Sequence, residues 1–536
     1  MKTNSLCAVL LGASVMAVAQ TAMAINPDGR YAMVTGQSAS WDPTFNGMQA
    51  ETSMSISPIA GTNNAVAMIT YDDDSNNGSN LVFTQTGRTV SQGTSLLGWS
   101  YVVYDQTQSF SNIGPWTYGG KVAPPAGWSI FWGDPSSVAV PGTPYVLIST
   151  LAGPASKYQN NGGPATGSVV SYMGGACIAL SSDNGRTFGI HQCINDTAVD
   201  ANGDFYDGST MAATADGKVF VAYNDTQTGL IDVWEAPSAT GTFKPIATPF
   251  PGLTAGGHPR LRAYNNVLLV AEAIARSGTA DLYMNYYSPA SGQWATPTLV
   301  ASTVSVVQEL GVVASFMGAS NQSWRRGGMY SFDAGRPSRN GNDAIRVAVT
   351  VPPDPVRGLQ VQTYGCVTSG GHFNCIRTPE WDPPGSGVFS PVVRATANSG
   401  SSGNPTWALV YQQVYGSDLV QSLGYFLNVE GNGVRDTVQA GTPPDDLNGT
   451  GEKPWWPQGP CPTMGSGYEG DYDDLQVASE SWIASDGVMH PYLFATETNT
   501  RIPADLSSTG QEIRCGTQQS YASSPQHVAV NMFPLP

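Results

Sequence analysis

The chain has 536 residues, with 40 acidic against 23 basic side chains and a formal net charge of -17. That excess excludes a nucleic-acid binder that works by neutralising phosphates. Charged residues make up only 12 %, while 61 glycines and 38 prolines describe a chain poor in helix and rich in turns; 41 % hydrophobic residues supply a core and exclude disorder.

Residues 1–24 read MKTNSLCAVLLGASVMAVAQTAMA. One lysine, an apolar stretch from Leu6 to Ala19 and the small-x-small site Ala22-Met23-Ala24 predict a secretory signal peptide cleaved near Ala24. The apolar stretch is shorter than the roughly 20 residues that a membrane span requires, and no later run reaches that length. Cys7 precedes the apolar stretch, unlike the cysteine of a lipoprotein cleavage site. The expected product is a secreted or periplasmic protein without a membrane span, residues 25–536 forming one domain.

Short polar-to-apolar openings then recur along the chain, at Glu51-Thr-Ser, Asp134-Pro-Ser-Ser, Asp207-Gly-Ser-Thr, His258-Pro-Arg-Leu, Arg326-Gly-Gly-Met, Asn404-Pro-Thr-Trp and Asp471-Tyr-Asp-Asp. Several lead, after a turn, into apolar strands such as Ala65-Val-Ala-Met-Ile-Thr-Tyr, Pro144-Tyr-Val-Leu-Ile, Lys218-Val-Phe-Val-Ala-Tyr and Asn266-Val-Leu-Leu-Val-Ala. A glycine just ahead of an aromatic residue marks a second element at Gly185, Gly241, Gly292 and Gly387. Gly241 lies 34 residues beyond Asp207, and Gly292 lies 34 beyond His258. The openings stand 51 to 83 residues apart, which suits a unit of about 50 residues carrying loop insertions. The predicted fold is all-β, a seven-bladed β-propeller; six or eight blades fit the same arithmetic if an end blade is assembled from both termini. A pair of β-sandwich domains would need a linker, and no linker-like stretch divides the chain.

One copy of the glycine element is complete. Ser181-Ser-Asp183-Asn-Gly185-Arg-Thr187-Phe188 has the form S-x-D-x-G-x-T-F. A hairpin turn explains it: Ser and Asp side chains bond the backbone, Gly takes a positive φ, and the ring packs beneath. This motif resembles the Asp-box, or BNR repeat, of the sialidase-like propellers, and the degenerate copies at propeller spacing extend the resemblance over nearly the whole chain after residue 24. The resemblance implies a propeller in which Ser181, Asp183, Gly185, Thr187 and Phe188 are structural residues on the blade periphery.

The same family's enzymes hold a sugar carboxylate with three arginines, attack with a tyrosine activated by a glutamate, and use an aspartate as acid/base. The family's Phe-Arg-Ile-Pro is missing here. The nearest tetrapeptide is Thr500-Arg-Ile-Pro, at the wrong end, and no arginine occurs between Arg30 and Arg88. What remains is the ring of openings. If the openings share one face, Glu51, Asp134, Asp207 and Asp471 converge on an axial mouth with His258, and with Arg260, Arg326 and Tyr472 close by. The catalytic candidates are therefore Glu51, Asp134, Asp207, Asp471 and Tyr472. The substrate-binding candidates are Arg260, Arg326, His258 and the paired Trp455 and Trp456, whose rings can stack on sugars. The structural alternative is that each acidic residue caps its strand and ties neighbouring blades.

Six cysteines follow Cys7; six cysteines permit about 15 pairings, of which pairing nearest in sequence, Cys177 with Cys193, Cys366 with Cys375 and Cys461 with Cys515, is the favoured one. No cofactor is required by any motif. Asp72-Asp-Asp74-Ser-Asn76 and Asp200-Ala-Asn202-Gly-Asp204 carry the alternating oxygens of a structural calcium loop without the Gly and Glu spacing of an EF-hand. The sequence thus points to an exported carbohydrate-active protein, a glycoside hydrolase or glycan binder whose partner is a glycan or small sugar. The alternative is a non-catalytic extracellular interaction or adhesion scaffold. Oligomeric state is not encoded in any motif.

Overall fold

The apolar runs that follow the openings at Glu51, Asp134, Asp207 and His258 become the second strands of sheets. β-Branched and aromatic side chains favour the extended backbone, and a strand covered on both faces has no need of polar alternation. All seven residues of Val219–Asp225 are buried. The computed structural model describes residues 30–33, 49–73, 81–84, 87–90, 95–107, 116–126, 128–130, 134–154, 175–195, 206–225, 228–264, 266–276, 279–304, 308–309, 323–326, 330–335, 344–354, 358–369, 372–383, 388–395, 407–414, 423–431, 434–440, 466–468, 475–483, 489–499 and 527–534. The described residues are all-β apart from one 3-10 turn, Pro379–Trp381.

Seven antiparallel sheets carry most of the strands. Sheet one runs Gln49–Pro58, Asn64–Asp73, Leu97–Asp105, Thr117–Lys121. Sheet two runs Ser136–Ala139, Val146–Pro154, Gly175–Ser181, Gly189–Asn195, with Trp128–Ile130 along the same edge as Ser136–Ala139. Sheet three is Tyr206–Ala213, Val219–Asp225, Leu230–Ala236, Lys244–Ile246. Sheet four is Arg260–Tyr264, Val267–Arg276, Thr279–Ser288, flanked by Gln293–Trp294 and Thr298–Val304. Sheet five is Tyr330–Gly335, Ala344–Asp354, Gly358–Ser369, His372–Arg377, and sheet six is Val388–Ala395, Trp407–Val414, Leu423–Gly431, Val434–Ala440. Sheet seven takes Leu475–Ile483, Met489–Asn499 and His527–Pro534 from the C-terminal part of the chain and Arg30–Met33 from the N-terminal part, with Tyr31 opposite Asn531.

The first strand of each sheet packs on the first strand of the next, and Leu475–Ile483 packs on both Val388–Ala395 and Gln49–Pro58. First strands have one edge without a sheet neighbour, so their N–H groups need other acceptors. Side-chain hydroxyls supply them. Ser53 accepts from the Ser137 N–H at 2.9 Å, Ser136 from Met211 at 3.0 Å, Thr210 from Leu261 at 3.2 Å and Ser331 from Val393 at 3.1 Å. The Ser and Thr residues of the openings are thus ties between sheets. Apolar clusters fill the interfaces: Leu147, Ile178, Val221 and Tyr223 meet between sheets two and three, and Leu282, Phe332 and Val347 between sheets four and five.

A β-bulge recurs in three of these first strands. In sheet one the register skips from Ala50 to Ser53, in sheet three from Asp207 to Thr210, and in sheet six from Phe389 to Val392. Each bulge faces a tyrosine of the second strand, Tyr71, Tyr223 or Tyr411, and all three are fully buried. A bulge bends the strand and re-aims its side chains, which here sets the direction of the residues at the start of the opening.

The structure corrects two openings. Asn404 and Gly387 lie outside the described residues; Trp407–Val414, which follows Asn404, is the second strand of sheet six, and the first is Val388–Ala395, so Val388 and Phe389 of the fourth glycine element begin a first strand. Arg326 lies in Ser323–Arg326, outside sheet five, whose first strand begins at Tyr330. Ser323–Arg326 pairs with Gln308–Glu309 and, in parallel, with Ser466–Tyr468. The physical reason is the same in both cases: a polar-to-apolar step marks the entry to any buried strand, inner or second.

Among the described residues two disulfides are formed. Cys177 and Cys193 sit directly opposite each other in adjacent strands with Cα atoms 4.0 Å apart, and Cys366 and Cys375 do the same at 4.0 Å. They indicate an oxidising compartment. No helix among the described residues is long and apolar enough to cross a membrane. Residues 1–24, Cys461, Cys515, Trp455, Trp456, Asp471 and Tyr472 lie outside the described residues.

Candidate functional site

Three of the predicted openings meet where sheets two, three and four adjoin. Asp134 directly precedes Pro135 and the strand Ser136–Ala139, is buried, and takes a φ of 47°, in the left-handed region that few side chains adopt. Its Oδ2 accepts the N–H of Gly208 at 3.3 Å. Gly208 is the first residue of the bulge in sheet three, so the bulge offers its N–H to the neighbouring carboxylate.

Asp207 precedes that bulge. Its Oδ2 lies 3.4 Å from Nε2 of His258, which enters from the turn ahead of Arg260–Tyr264; the Asp207 side chain is 23 % exposed and the imidazole only 4 %. The carboxylate is therefore the solvent-facing member of the pair. The imidazole behind it can orient it and share a proton with it.

The turn that delivers His258 is held from three strands. Asn224 Nδ2, in the second strand of sheet three, donates to the Gly257 carbonyl at 2.9 Å. Glu272, in the second strand of sheet four, accepts the Gly257 N–H through Oε1 at 3.0 Å. Tyr330, the first residue of sheet five, donates its hydroxyl to the His258 carbonyl at 2.5 Å. Burial pushes the Glu272 carboxyl up to about 8, although His258, the Gly257 N–H, the Tyr330 hydroxyl and Arg260 all pull the other way. Burial and the neighbouring Glu272 raise the Tyr330 phenol well above its usual range, against the pull of Arg260. Neither Glu272 nor Tyr330 is conspicuous by type and position, yet Glu272 is a lone carboxyl inside Val267-Leu-Leu-Val-Ala-Glu-Ala-Ile-Ala, and that interruption is a legible signal.

The structure thus brings together Asp134, Asp207 and His258, with Arg260, two residues beyond His258, opening the strand that follows. Glu51 is the first residue of the bulge in sheet one, the register position that Gly208 holds in sheet three, and Ala50 stands where sheet three has Asp207. Among the described residues no group of three His, Cys, Asp or Glu is arranged to hold a metal ion. Asp73, from the first calcium-like segment, accepts the Tyr118 hydroxyl at 2.9 Å and lies 4.0 Å from the Lys121 ammonium.

The Ser181–Phe188 turn is elsewhere. Asp183 Oδ1 accepts from the Ser181 hydroxyl at 2.6 Å and from the N–H groups of Arg186 and Thr187 at 3.1 and 3.0 Å, and its Oδ2 accepts from the Thr187 hydroxyl at 2.7 Å. Partial burial pushes this carboxyl up, but the four hydrogen bonds outweigh it and hold the group below its ordinary range. Gly185 has φ 89°, and Phe188 meets Trp99 edge-to-face at 5.4 Å between centroids. Asn184 donates to Ser57 at 2.9 Å and to the Pro58 carbonyl at 3.3 Å. Ser57 and Pro58 end the first strand of sheet one, whose bulge is near its beginning, so the turn and the carboxylate cluster mark opposite ends of the inner strands.

No family model matches the chain, and no curated protein matches it in sequence. Solved structures resemble it in shape. It is similar to a polysaccharide lyase, Uly1, at 10 % identity and a TM-score of 0.40, over 95 % of this chain and 93 % of that one. It is similar to an α-L-arabinofuranosidase of Fusarium graminearum solved with arabinobiose, at 10 % identity and a TM-score of 0.37, over 72 % and 92 %. A third similarity is to the intramolecular trans-sialidase of Ruminococcus gnavus solved with oseltamivir carboxylate, at 9 % identity and 0.36, over 73 % and 93 %.

Proposed function

We propose that the protein is an exported, seven-bladed propeller of the sialidase-like Asp-box type that takes a sugar at the end of the ring where Asp134, Asp207, His258 and Arg260 meet. It acts there as a glycoside hydrolase, with Asp207 as the general acid/base. The observation that carries this reading is the Asp207–His258 pair, a partly exposed carboxylate held 3.4 Å from a buried imidazole at the start of an inner strand. General acid/base chemistry on a glycosidic oxygen requires a carboxyl group that is positioned, reachable and able to exchange its proton.

Seven sheets whose first strands touch in sequence, the last touching the first, support the blade count. The hydrogen bonding of Asp183 supports the Asp-box reading. The parallel pairing of Ser323–Arg326 with Ser466–Tyr468 supports a shared place for Arg326, Asp471 and Tyr472, since the two loops lead into sheets five and seven. Glu51 is the second carboxylate in this proposal, and Trp455 and Trp456 the stacking surface. The charges gathered at this end are mostly carboxylates, with one imidazole and the guanidinium groups of Arg260 and Arg326, so a neutral sugar is favoured over an anionic one. No cofactor takes part, and any calcium is structural.

The test is an assay of the purified full-length protein on neutral and acidic glycosides, together with a glycan array. Hydrolysis of a neutral glycoside that is lost in Asp207→Asn supports the enzyme. Binding without turnover leaves a glycan binder. Neither turnover nor binding overturns the proposal in favour of an extracellular scaffold.

A further inference from the structure

We infer that Glu272 is a positioning residue for the Asp207–His258 pair, whose buried carboxyl holds the backbone that carries His258 and couples its own proton to the charge of the imidazole. As a statement about catalysis this rests on the sugar-cleaving reading above. As a statement about how the backbone of His258 is held it stands on the geometry alone.

That geometry is a bracket. Glu272 accepts the N–H of Gly257, the residue before His258, at 3.0 Å, and Tyr330, whose hydroxyl also lies against Gly257, donates that hydroxyl to the His258 carbonyl at 2.5 Å. The Ala273 N–H donates to the same phenol oxygen at 3.2 Å, so Tyr330 is fixed from the strand that carries Glu272. Gly257 is closely surrounded, since a β-carbon there would meet the Tyr330 hydroxyl at 3.3 Å and Glu272 Oε1 at 3.4 Å, and the neighbours would have to give by a few tenths of an ångström. The glycine lets the backbone approach the carboxyl.

Glu272 has no exposed surface, and the titratable and charged groups that act on it are His258, Arg260 and Tyr330. Buried in that setting, it keeps its proton until about pH 8. Coupling between two titrating sites is reciprocal: a charged imidazole favours ionised Glu272, and ionised Glu272 favours a charged imidazole. Below that pH the carboxyl is neutral. Above it, Glu272 is anionic and draws a proton on to His258. The resulting imidazolium stabilises ionised Asp207 and weakens it as a proton donor, so activity should fall on the alkaline side.

The coupling is tested by following the His258 imidazole resonance by NMR from about pH 5 to about pH 10. The resonance is assigned by its loss in His258→Gln. Wild type should show an inflection near pH 8, and Glu272→Gln, with circular dichroism unchanged, should lose it. Identical curves in the two proteins overturn the inference. If Glu272→Gln does not fold, Tyr330→Phe serves: removing the bridging hydroxyl should move the inflection by about 0.5 pH unit or more, and an unmoved inflection overturns the inference. A lost inflection in a protein that cleaves no sugar leaves the coupling standing and removes the catalytic reading. Cleavage with identical titration curves does the reverse.

Discussion

The imidazole of His258 lies so close to Gly208 that a β-carbon on the glycine would fall 2.5 Å from the ring's Cγ. Gly208 also has φ 63° and donates its N–H to Asp134, so one residue without a side chain joins the openings of sheets two, three and four. Gly208→Ala should therefore displace His258 and strain the bulge, with a cost of about 1–2 kcal/mol from the left-handed backbone alone. A lowered Tm together with lost sugar binding is expected. An unchanged Tm in thermal unfolding would contradict the contact.

Asp207→Asn keeps the volume and removes the proton that the proposed chemistry uses. Turnover should fall by roughly 10²–10⁴-fold, the usual contribution of a positioned acid/base, with little change in Tm. Steady-state kinetics on whichever glycoside the wild type cleaves gives the answer, and a variant retaining full kcat would remove Asp207 from the mechanism.

Glu272 also makes stability depend on pH. Its carboxyl is raised from an ordinary 4.5 to about 8 in the folded protein, so between those values the native state holds a proton that the unfolded state releases. Stability should then decrease as pH rises through that window, by up to about 1.4 kcal/mol per unit, and the loss should level off above it. Urea unfolding of wild type and Glu272→Gln at several pH values isolates this contribution. Parallel pH profiles would show that the carboxyl ionises normally.

Asp183 works in the opposite sense. Its carboxyl is held below the usual range, so its stabilisation is present above the unfolded value and is lost as pH falls through the folded one. Asp183→Ala should cost about 1–3 kcal/mol near neutrality by leaving the Arg186 and Thr187 N–H groups without their acceptor. The difference from wild type should shrink in acid. Sugar binding should be unaffected, because the turn lies at the other end of the inner strands, and a large change in affinity with intact stability would place Asp183 in the site.

Much of this architecture is legible in the residues because it depends on local chemistry. Continuous apolar runs rich in β-branched and aromatic residues and bounded by turns, such as Lys218-Val-Phe-Val-Ala-Tyr, favour the centre of a sheet, and Ser181-x-Asp-x-Gly-x-Thr-Phe closes its own turn within eight residues. Cysteines 16 and 9 residues apart fall opposite each other in single hairpins. The error at Asn404 has an equally local origin, since the pattern that starts a first strand also starts a second.

By itself, then, the sequence determined the strand content, the recurring unit, the disulfide-bonded hairpins and the identity of Asp134, Asp207 and His258 as strand openings. Only the tertiary structure decided which of those openings meet, that His258 is buried behind Asp207, and that Glu272 and Tyr330 carry its backbone. The reason is physical. Propensity and periodicity act within a strand, whereas the bulge at Gly208, the packing of one inner strand on the next and the desolvation of Glu272 exist only once separate sheets have been brought side by side.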